Sequence, residues 1–138
     1  MEKATLIDTR TDIPDGLIPG SYWTPGKGPM TTWIAMTVTH EDPIVVVTEE
    51  GKHEETIERF LRIGFCNILG YNNFKISEFP GNKWQPKIYN GESSHEFANR
   101  LHLDVRNPPE HETTGVIENS ILIPLPQLKN RAEELKDK

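Results

Sequence analysis

Four consecutive β-branched residues, Ile44 to Val47, constrain the fold of this chain more than any other part of its sequence. They follow Pro43 and are apolar at every position, whereas a strand with one solvated face alternates apolar with polar residues. Continuous β-branched runs are typical of strands that are buried on both faces of a parallel sheet. The segment therefore predicts a central strand in an α/β protein.

The residues after this strand have the pattern of an amphipathic helix. Ile57, Phe60 and Leu61 recur at helical spacing, which places them on one predicted buried face. Acidic residues lie in the first turn and basic residues in the last, as the helix dipole favours. Gly64 is predicted to end the helix, and residues 65–71 predict the next strand. Alternating strands and helices predict an α/β fold with a central, mostly parallel sheet flanked by helices.

Composition and charge argue against several classes of function. The 138-residue chain has a net charge of −6 and an isoelectric point near 5.4, which disfavours nucleic acid or an anionic membrane as its partner. It has no apolar run of membrane-spanning length, and its first residues lack the pattern of a secretory signal. A single cysteine, Cys66, rules out an internal disulfide framework and suits a reducing compartment. We therefore expect a cytoplasmic protein.

Two segments of the chain have similar sequences about one domain length apart. Residues 6–10 and 103–106 each predict a strand that ends in Asp-X-Arg. A glycine follows in each segment, and the spacing from that glycine to a later proline is the same in both. The matching pairs are Asp8 with Asp104, Arg10 with Arg106, Gly16 with Gly115, and Pro25 with Pro124. The pattern predicts one domain at residues 1–80, a linker at 81–91 and the beginning of a second, similar domain at 92–138. The alternative is two unrelated strand–loop–strand units.

The second segment is predicted to contain a short helix at residues 92–99, a loop at 108–115 and a helix from 125 onward. A partial domain of this kind exposes strand edges, so we expect residues 92–138 to pack on the first domain or to associate with another chain. The abrupt start and end of the chain suggest a fragment of a longer protein. Its partners would then be the other domains of that protein, and a homo-oligomer is also possible.

The two Asp–Arg pairs are the clearest charged constellations in the sequence. Asp8 with Arg10, and Asp104 with Arg106, stand at predicted strand ends. Carboxylate–guanidinium pairs at such positions usually hold the following loop through bidentate hydrogen bonds, although an acid–base role is conceivable. The five histidines lack the spacing of metal ligands, and with one cysteine we expect neither a metal site nor a cofactor.

These motifs together resemble the rhodanese-like sulfurtransferase family. That family has a strand ending in Leu-Asp-Val-Arg, which residues 103–106 match, and a loop closing on Gly-His-Ile-Pro-Gly-Ala, to which residues 16–21 are similar. Residues 62–71 resemble the helix-to-strand segment that follows the family's active-site loop. Residues 1–80 are most similar to the rhodanese homology region of proteins that join a metallo-β-lactamase-like persulfide dioxygenase domain to rhodanese repeats. The resemblance covers nearly the whole chain.

The resemblance implies sulfur-transfer chemistry, but the nucleophile is missing. In the family, the strand that corresponds to Ile44–Val47 ends directly at a cysteine, whose thiolate lies at a helix N-terminus and carries a sulfane sulfur. Thr48 stands at that position here, and a hydroxyl cannot hold a sulfane sulfur reversibly. The vestigial active-site loop implied by the resemblance comprises Thr48, Glu49, Glu50, Gly51, Lys52 and His53. Its two glutamates oppose anions such as thiosulfate.

We therefore expect a catalytically silent rhodanese homology module from a sulfane-sulfur- or persulfide-handling protein, with a structural or substrate-guiding role. One alternative is a thiosulfate or persulfide sulfurtransferase truncated before its catalytic cysteine. Another is a regulatory protein-binding module that uses the acidic loop around Gly51. Cys66 follows the predicted helix, whereas the family's nucleophile precedes it, so we expect Cys66 to be a small core or strand-edge residue.

Overall fold

A computed structural model of the protein describes residues 3–72, 75–86 and 100–136. The chain forms two compact units, Met1–Lys87 and Ile88–Lys138. Part of the predicted linker, residues 87–91, and the helix predicted at residues 92–99 lie outside the described residues. Within the described ranges, no helix has both the length and the apolar character that crossing a membrane requires.

The first unit is built around a four-stranded parallel sheet. Its strands, in chain order, are β1 (Thr5–Asp8), β2 (Tyr22–Trp23), β3 (Ile44–Val47) and β4 (Ile68–Tyr71), and their order in the sheet is β2-β1-β3-β4. Helix α1 (Met30–Thr37) precedes β3, helix α2 (His53–Arg62) precedes β4, and a short 3₁₀ turn (Ile76–Glu78) follows β4. All neighbouring strands run parallel. The prediction of an α/β fold with a central parallel sheet flanked by helices is therefore confirmed.

Strand β3 lies inside the sheet, as its unbroken β-branched run predicted. It pairs with β1 on one side and with β4 on the other. Ile44 and Val46 are buried in one cluster with Phe60 of α2, whereas Val47 is buried in a second cluster with Ile76. Because successive side chains of a strand point to opposite faces, both faces of β3 are covered.

Helix α2 ends where predicted but buries a different face. Phe60 is fully buried, whereas Leu61 is 47% exposed, so the prediction that Leu61 faces the core was wrong. Thr56 lies on the buried face instead, one turn before Phe60, because residues four apart share a face and adjacent residues do not. Gly64, at φ +89, ends the helix, and the Phe65 N–H donates to the Phe60 carbonyl at 3.1 Å.

Strand β4 begins three residues later than predicted. The Phe65 N–H completes the turn that ends α2, and the Phe65 side chain is fully buried in the core. Cys66 follows in the segment between this turn and β4, and it is exposed. The expected core or strand-edge position of Cys66 was therefore wrong, because the helix-ending turn directs Phe65 inward and leaves its neighbour in solvent.

The second unit contains a two-stranded parallel sheet. Its elements are β5 (Leu103–Asp104), helix α3 (Pro108–Thr114), β6 (Ile121–Leu122), helix α4 (Leu125–Arg131) and a 3₁₀ turn (Ala132–Leu135). Residues 108–115 were predicted to be a loop, and that prediction was wrong for α3. The Asn107 N–H donates to the Glu110 carboxylate at 2.8 Å, and a proline in the first turn fits the helical backbone. These helix-start signals outweigh the loop character of the two prolines.

Candidate functional site

The strand order of the first unit creates a crevice between β1 and β3. From β1 the chain passes to β2 on one side, and it later continues through β3 to β4 on the other side. In open parallel sheets, the loops that leave two such strands diverge at the carboxyl edge, and ligands bind there. Arg10 lies just after β1, and Thr48 directly follows β3. The structure therefore places the predicted loop that starts at Thr48 at this topological switch point.

A cleft of about 550 Å³ opens at this edge of the sheet. It is lined by residues at or after the carboxyl ends of β1, β3 and β4, namely Arg10, Asp15, Thr48, Glu49, Glu50, Gly51, His53, Tyr71, Asn72, Lys75, Ile76 and Glu78. Lys52 is the one residue of the predicted loop that does not contribute to the lining. The size is within the range of small-molecule sites, so the cleft is the candidate functional site.

The loop after β3 is a tight turn that leads directly into α2. The Thr48 N–H donates to the Asn72 Oδ1 at 2.8 Å, which ties the start of the loop to the end of β4. The Lys52 N–H donates to the Glu49 carbonyl at 3.1 Å and closes the turn. Gly51 has φ +74, a left-handed conformation that glycine adopts without steric cost. This is the strand–turn–helix geometry that presents a side chain at a helix N-terminus.

Thr48 is the residue at the head of that turn. Its side chain is largely buried, and its Oγ1 donates to the carbonyl of Glu49 at 3.0 Å. The only aromatic contact of His53 among the described residues is a ring stack on Tyr71, with centroids 4.2 Å apart and planes 7° apart. The Thr48 hydroxyl thus donates to a main-chain carbonyl and not to a histidine or carboxylate side chain that could act as a general base.

Glu49 has a structural partner that its sequence position did not indicate. Its Oε1 accepts a hydrogen bond from the Thr11 N–H at 2.6 Å, across the gap between the loops after β1 and β3. Thr9 strengthens the same connection, because its Oγ1 donates to the Val47 carbonyl at 3.0 Å. The carboxylate of Glu49 thus holds two loops together, whereas Glu50 is exposed.

Tyr71 and Asn72 are site residues that the sequence reasoning missed. Tyr71 forms one wall of the cleft through its stack on His53, and Asn72 anchors Thr48. Their position just at the end of a predicted strand was the available signal, because the carboxyl ends of parallel strands meet at one edge of the sheet.

The cleft carries an excess of negative charge. Its carboxylates are Asp15, Glu49, Glu50 and Glu78, and its cations are Arg10 and Lys75. Arg10 is already paired, since its Nη2 donates to the Asp8 Oδ2 at 2.7 Å. The remaining balance repels small anions and attracts cations. Within residues 3–72, 75–86 and 100–136, no three His, Cys, Asp or Glu side chains lie close enough together to hold a metal ion.

The Asp8–Arg10 pair holds the loop after β1, which forms part of the cleft wall. Asp8 is fully buried, and its Oδ1 accepts from the Arg10 backbone N–H at 3.1 Å. The Arg10 Nη2 also donates to the Gly16 carbonyl at 2.7 Å, which closes the loop after β1. Gly16 has φ +77, and a Cβ there would lie 2.9 Å from the Trp84 carbonyl oxygen. These contacts are those of a loop-holding pair.

The second unit repeats this arrangement in its own loop. The Arg106 backbone N–H donates to the Asp104 Oδ1 at 3.0 Å, and the Arg106 Nη2 donates to the Gly115 carbonyl at 2.9 Å. Gly115 has φ +74, close to that of Gly16. The hydrogen bonds from Arg106 hold the pKa of the Asp104 carboxyl well below its ordinary range, and the carboxylate in turn raises the pKa of Arg106. His111 lies beside this pair, with its Nε2 3.5 Å from the Asp104 Oδ1.

Cys66 lies at the other edge of the first unit's sheet. It precedes β4, and Ile68, the first residue of β4, is opposite Ile44, the first residue of β3. Thr48 comes after the last residue of β3. Because all strands are parallel, Cys66 is at the amino edge and Thr48 at the carboxyl edge, about 13 Å away along a four-residue strand. The thiol therefore does not line the cleft.

Comparison with known proteins adds no assignment to this geometry. Neither a scan against protein-family models nor a search of curated proteins gave a match.

Proposed function

We propose that the first unit is a catalytically silent rhodanese-like module of a sulfane-sulfur- or persulfide-handling protein, where it has a structural or substrate-guiding role. The observation that carries the proposal is Thr48, which stands between a central strand and a helix N-terminus at the head of the cleft. That is the position at which a sulfurtransferase of this family needs its cysteine.

Sulfur transfer requires a thiolate that attacks the sulfane sulfur of a donor such as thiosulfate. A new S–S bond forms on the enzyme, and sulfite leaves with the electron pair of the broken S–S bond. A threonine hydroxyl at the same place has neither the nucleophilicity nor a leaving-group chemistry that would release the sulfur again. The loop geometry is thus suited to the family's chemistry, while the reactive atom is not.

Charge and distance also support a silent module. The carboxylates that border the cleft repel thiosulfate-like anions, and Glu49 cannot turn away without losing its bond to the Thr11 N–H. Cys66 lies at the opposite edge of the sheet and cannot replace the missing thiol at the helix N-terminus. The cleft therefore lacks both a lining that attracts the anionic sulfur donor and a thiolate that could attack it.

A regulatory binding module is the second candidate function. The observation in its favour is the cleft itself, which keeps about 550 Å³ of space between polar and aromatic walls although it lacks a nucleophile. On this alternative, the acidic loop around Gly51 would contact a positively charged group of a partner protein.

The test is a thiosulfate–cyanide sulfurtransferase assay on the parent chain, which keeps Cys66, and on Thr48→Cys in a Cys66→Ser background. We expect no activity from the parent, and weak activity from Thr48→Cys because the carboxylates of the cleft disfavour both the thiolate and the anionic donor. The matched control is Thr9→Cys, which introduces a thiol at the end of β1 where no helix N-terminus follows. Thr9→Cys is expected to stay inactive.

Activity of the parent chain would overturn the silent-module proposal. Equal activity of Thr48→Cys and Thr9→Cys would show that any thiol at this edge suffices, and it would remove the argument from the geometry of the loop.

A further inference from the structure

The two units share one pair of strands in nearly the same geometry. Ile7 is opposite Tyr22 in the β1–β2 pair, and Leu103 is opposite Ile121 in the β5–β6 pair. Just beyond each pair, a backbone N–H of the later segment donates to the carbonyl of the strand's aspartate, at 2.8 Å in the first unit and 3.0 Å in the second. Strands β1 and β5 therefore occupy equivalent positions, and the same side of each strand is paired.

The other side of β1 is occupied by β3. The Thr5 N–H donates to the Pro43 carbonyl and the Thr9 N–H donates to the Val47 carbonyl, each at 2.8 Å. These donors point away from β2, because the backbone groups of successive strand residues alternate between the two sides. The first unit thus shows which kind of segment this side of the strand accepts: a parallel, β-branched strand.

Within the described part of the chain, no strand pairs with the corresponding side of β5. The residues equivalent to Thr5, Ile7 and Thr9 are Leu101, Leu103 and Val105. Among the residues that the structure describes, their backbone N–H groups have no hydrogen-bond acceptor. A row of free donors on a strand edge is a template for one more strand.

A groove of mixed character lies along this edge. It has a volume of about 780 Å³, and apolar side chains on and beside β5 and before β6 share its lining with the polar or charged residues His102, Asp104, Arg106, Thr114 and Ser120. Ile117 lines the groove and is 50% exposed, whereas its counterpart Ile18 is 7% exposed and packs with Val47 of β3. The groove is therefore located where the first unit buries an apolar side chain of its third strand.

We propose that the open edge of β5 binds an extended segment of apolar, β-branched residues, which adds to the sheet as a parallel strand. Main-chain hydrogen bonds to Leu101, Leu103 and Val105 provide affinity, and the groove accepts alternate side chains of the segment. The chemistry of the partner is that of β3: four β-branched residues without charge, preceded by a proline. This inference does not depend on the role proposed for the cleft.

The test uses a capped, fluorescent peptide with the sequence of residues 42–48 and a C-terminal lysine pair for solubility. Binding to the full chain is measured by fluorescence anisotropy, and amide hydrogen exchange locates the bound peptide. We expect protection of the Leu103 and Val105 amides. The control peptide carries Val45→Pro, which removes an N–H on the side that faces β1 in the first unit, and it is expected not to bind.

Two protein variants distinguish the groove from nonspecific apolar binding. Leu101→Lys places a charge in the groove and is expected to weaken peptide binding about tenfold or more. Leu122→Lys is the matched control, since Leu122 is also partly exposed on the β5–β6 sheet but does not line the groove, and binding should be unchanged.

Three results of the binding experiments would overturn the proposal. They are an absence of binding, equal binding to the two lysine variants, and binding of the Val45→Pro peptide with the affinity of the parent peptide. A dimer whose Leu103 and Val105 amides are protected without peptide would also overturn it, because a second copy of the chain would then cover the edge.

Discussion

The Asp–Arg pairs of the two units make the same hydrogen bonds in different surroundings. The side chains of Asp8 and Arg10 are 0% and 9% exposed, whereas those of Asp104 and Arg106 are 13% and 37% exposed. The first pair lies on a strand that β3 covers, and the second lies on a strand whose other side pairs with no described segment. The comparison indicates that the short motif determines the path of the loop. The neighbouring strand determines how deeply the pair is buried, and therefore how much the pair contributes to the free energy of unfolding.

The two pairs should differ most in the free energy of unfolding that is lost when the arginine's guanidinium group is removed. Arg10→Met removes the guanidinium donors, so the buried Asp8 carboxylate keeps only the backbone N–H of residue 10 and the Gly16 carbonyl loses its donor. It should lower the free energy of unfolding by about 3–5 kcal/mol. Chemical denaturation with a fluorescence readout measures this. Arg106→Met is the matched control and should lower stability less, because water reaches Asp104. Equal losses would contradict the role assigned to burial.

A smaller difference is expected for the two glycines that close these loops. Both have positive φ, so alanine at either position costs about 1 kcal/mol or more. At Gly16 the added Cβ would also meet the Trp84 carbonyl oxygen at 2.9 Å, whereas at Gly115 nothing lies within 4 Å. Gly16→Ala should therefore lower the free energy of unfolding at least twice as much as Gly115→Ala in the same denaturation experiment. The reverse order would show that the Gly16–Trp84 contact adjusts without cost.

The smallest effect is expected in the pH dependence of the stability that the more exposed pair, Asp104 with Arg106, contributes. The pKa of Asp104 is lower in the folded state than its ordinary value of 3.8, chiefly because of the hydrogen bond from Arg106. The stability that this carboxylate contributes is therefore fully present above pH 3.8 and is lost as the pH falls through the lower folded pKa. A carboxyl titration by NMR should find Asp104 still ionised well below pH 3.8. In Arg106→Met the midpoint should return toward that value, and an unchanged midpoint would contradict the assigned cause.

The parts of the fold that could be predicted from sequence are those governed by local pattern. The β-branched run at Ile44–Val47 predicted a buried central strand, and Gly64 predicted the end of α2. The positions of Leu61 and Cys66 were predicted wrongly, because the choice of buried face and the start of β4 depend on how the chain turns after the helix. Tertiary packing determines which face of α2 is buried and where β4 begins, and local sequence patterns alone do not predict that packing.

The candidate site was predictable only in part, for a related reason. The loop from Thr48 to His53 follows from the order of strand, glycine turn and helix. Asn72 and Tyr71 could be assigned to the same cleft only once the strand order was known, since they belong to a different strand. The bond from Thr11 to Glu49 joins residues that are distant in sequence, and no local pattern indicates it.

The most direct test of the proposal that Thr48 stands where a sulfurtransferase would carry its thiol is intact-mass measurement after incubation with thiosulfate. The parent chain, which keeps Cys66, should gain no cyanide-labile sulfur. Thr48→Cys in a Cys66→Ser background should gain the mass of one sulfur atom, which cyanide then removes. A cyanide-labile sulfur on the chain that retains Thr48 would contradict the account. So would a Thr48→Cys variant that folds, presents a reactive thiol and never acquires sulfur.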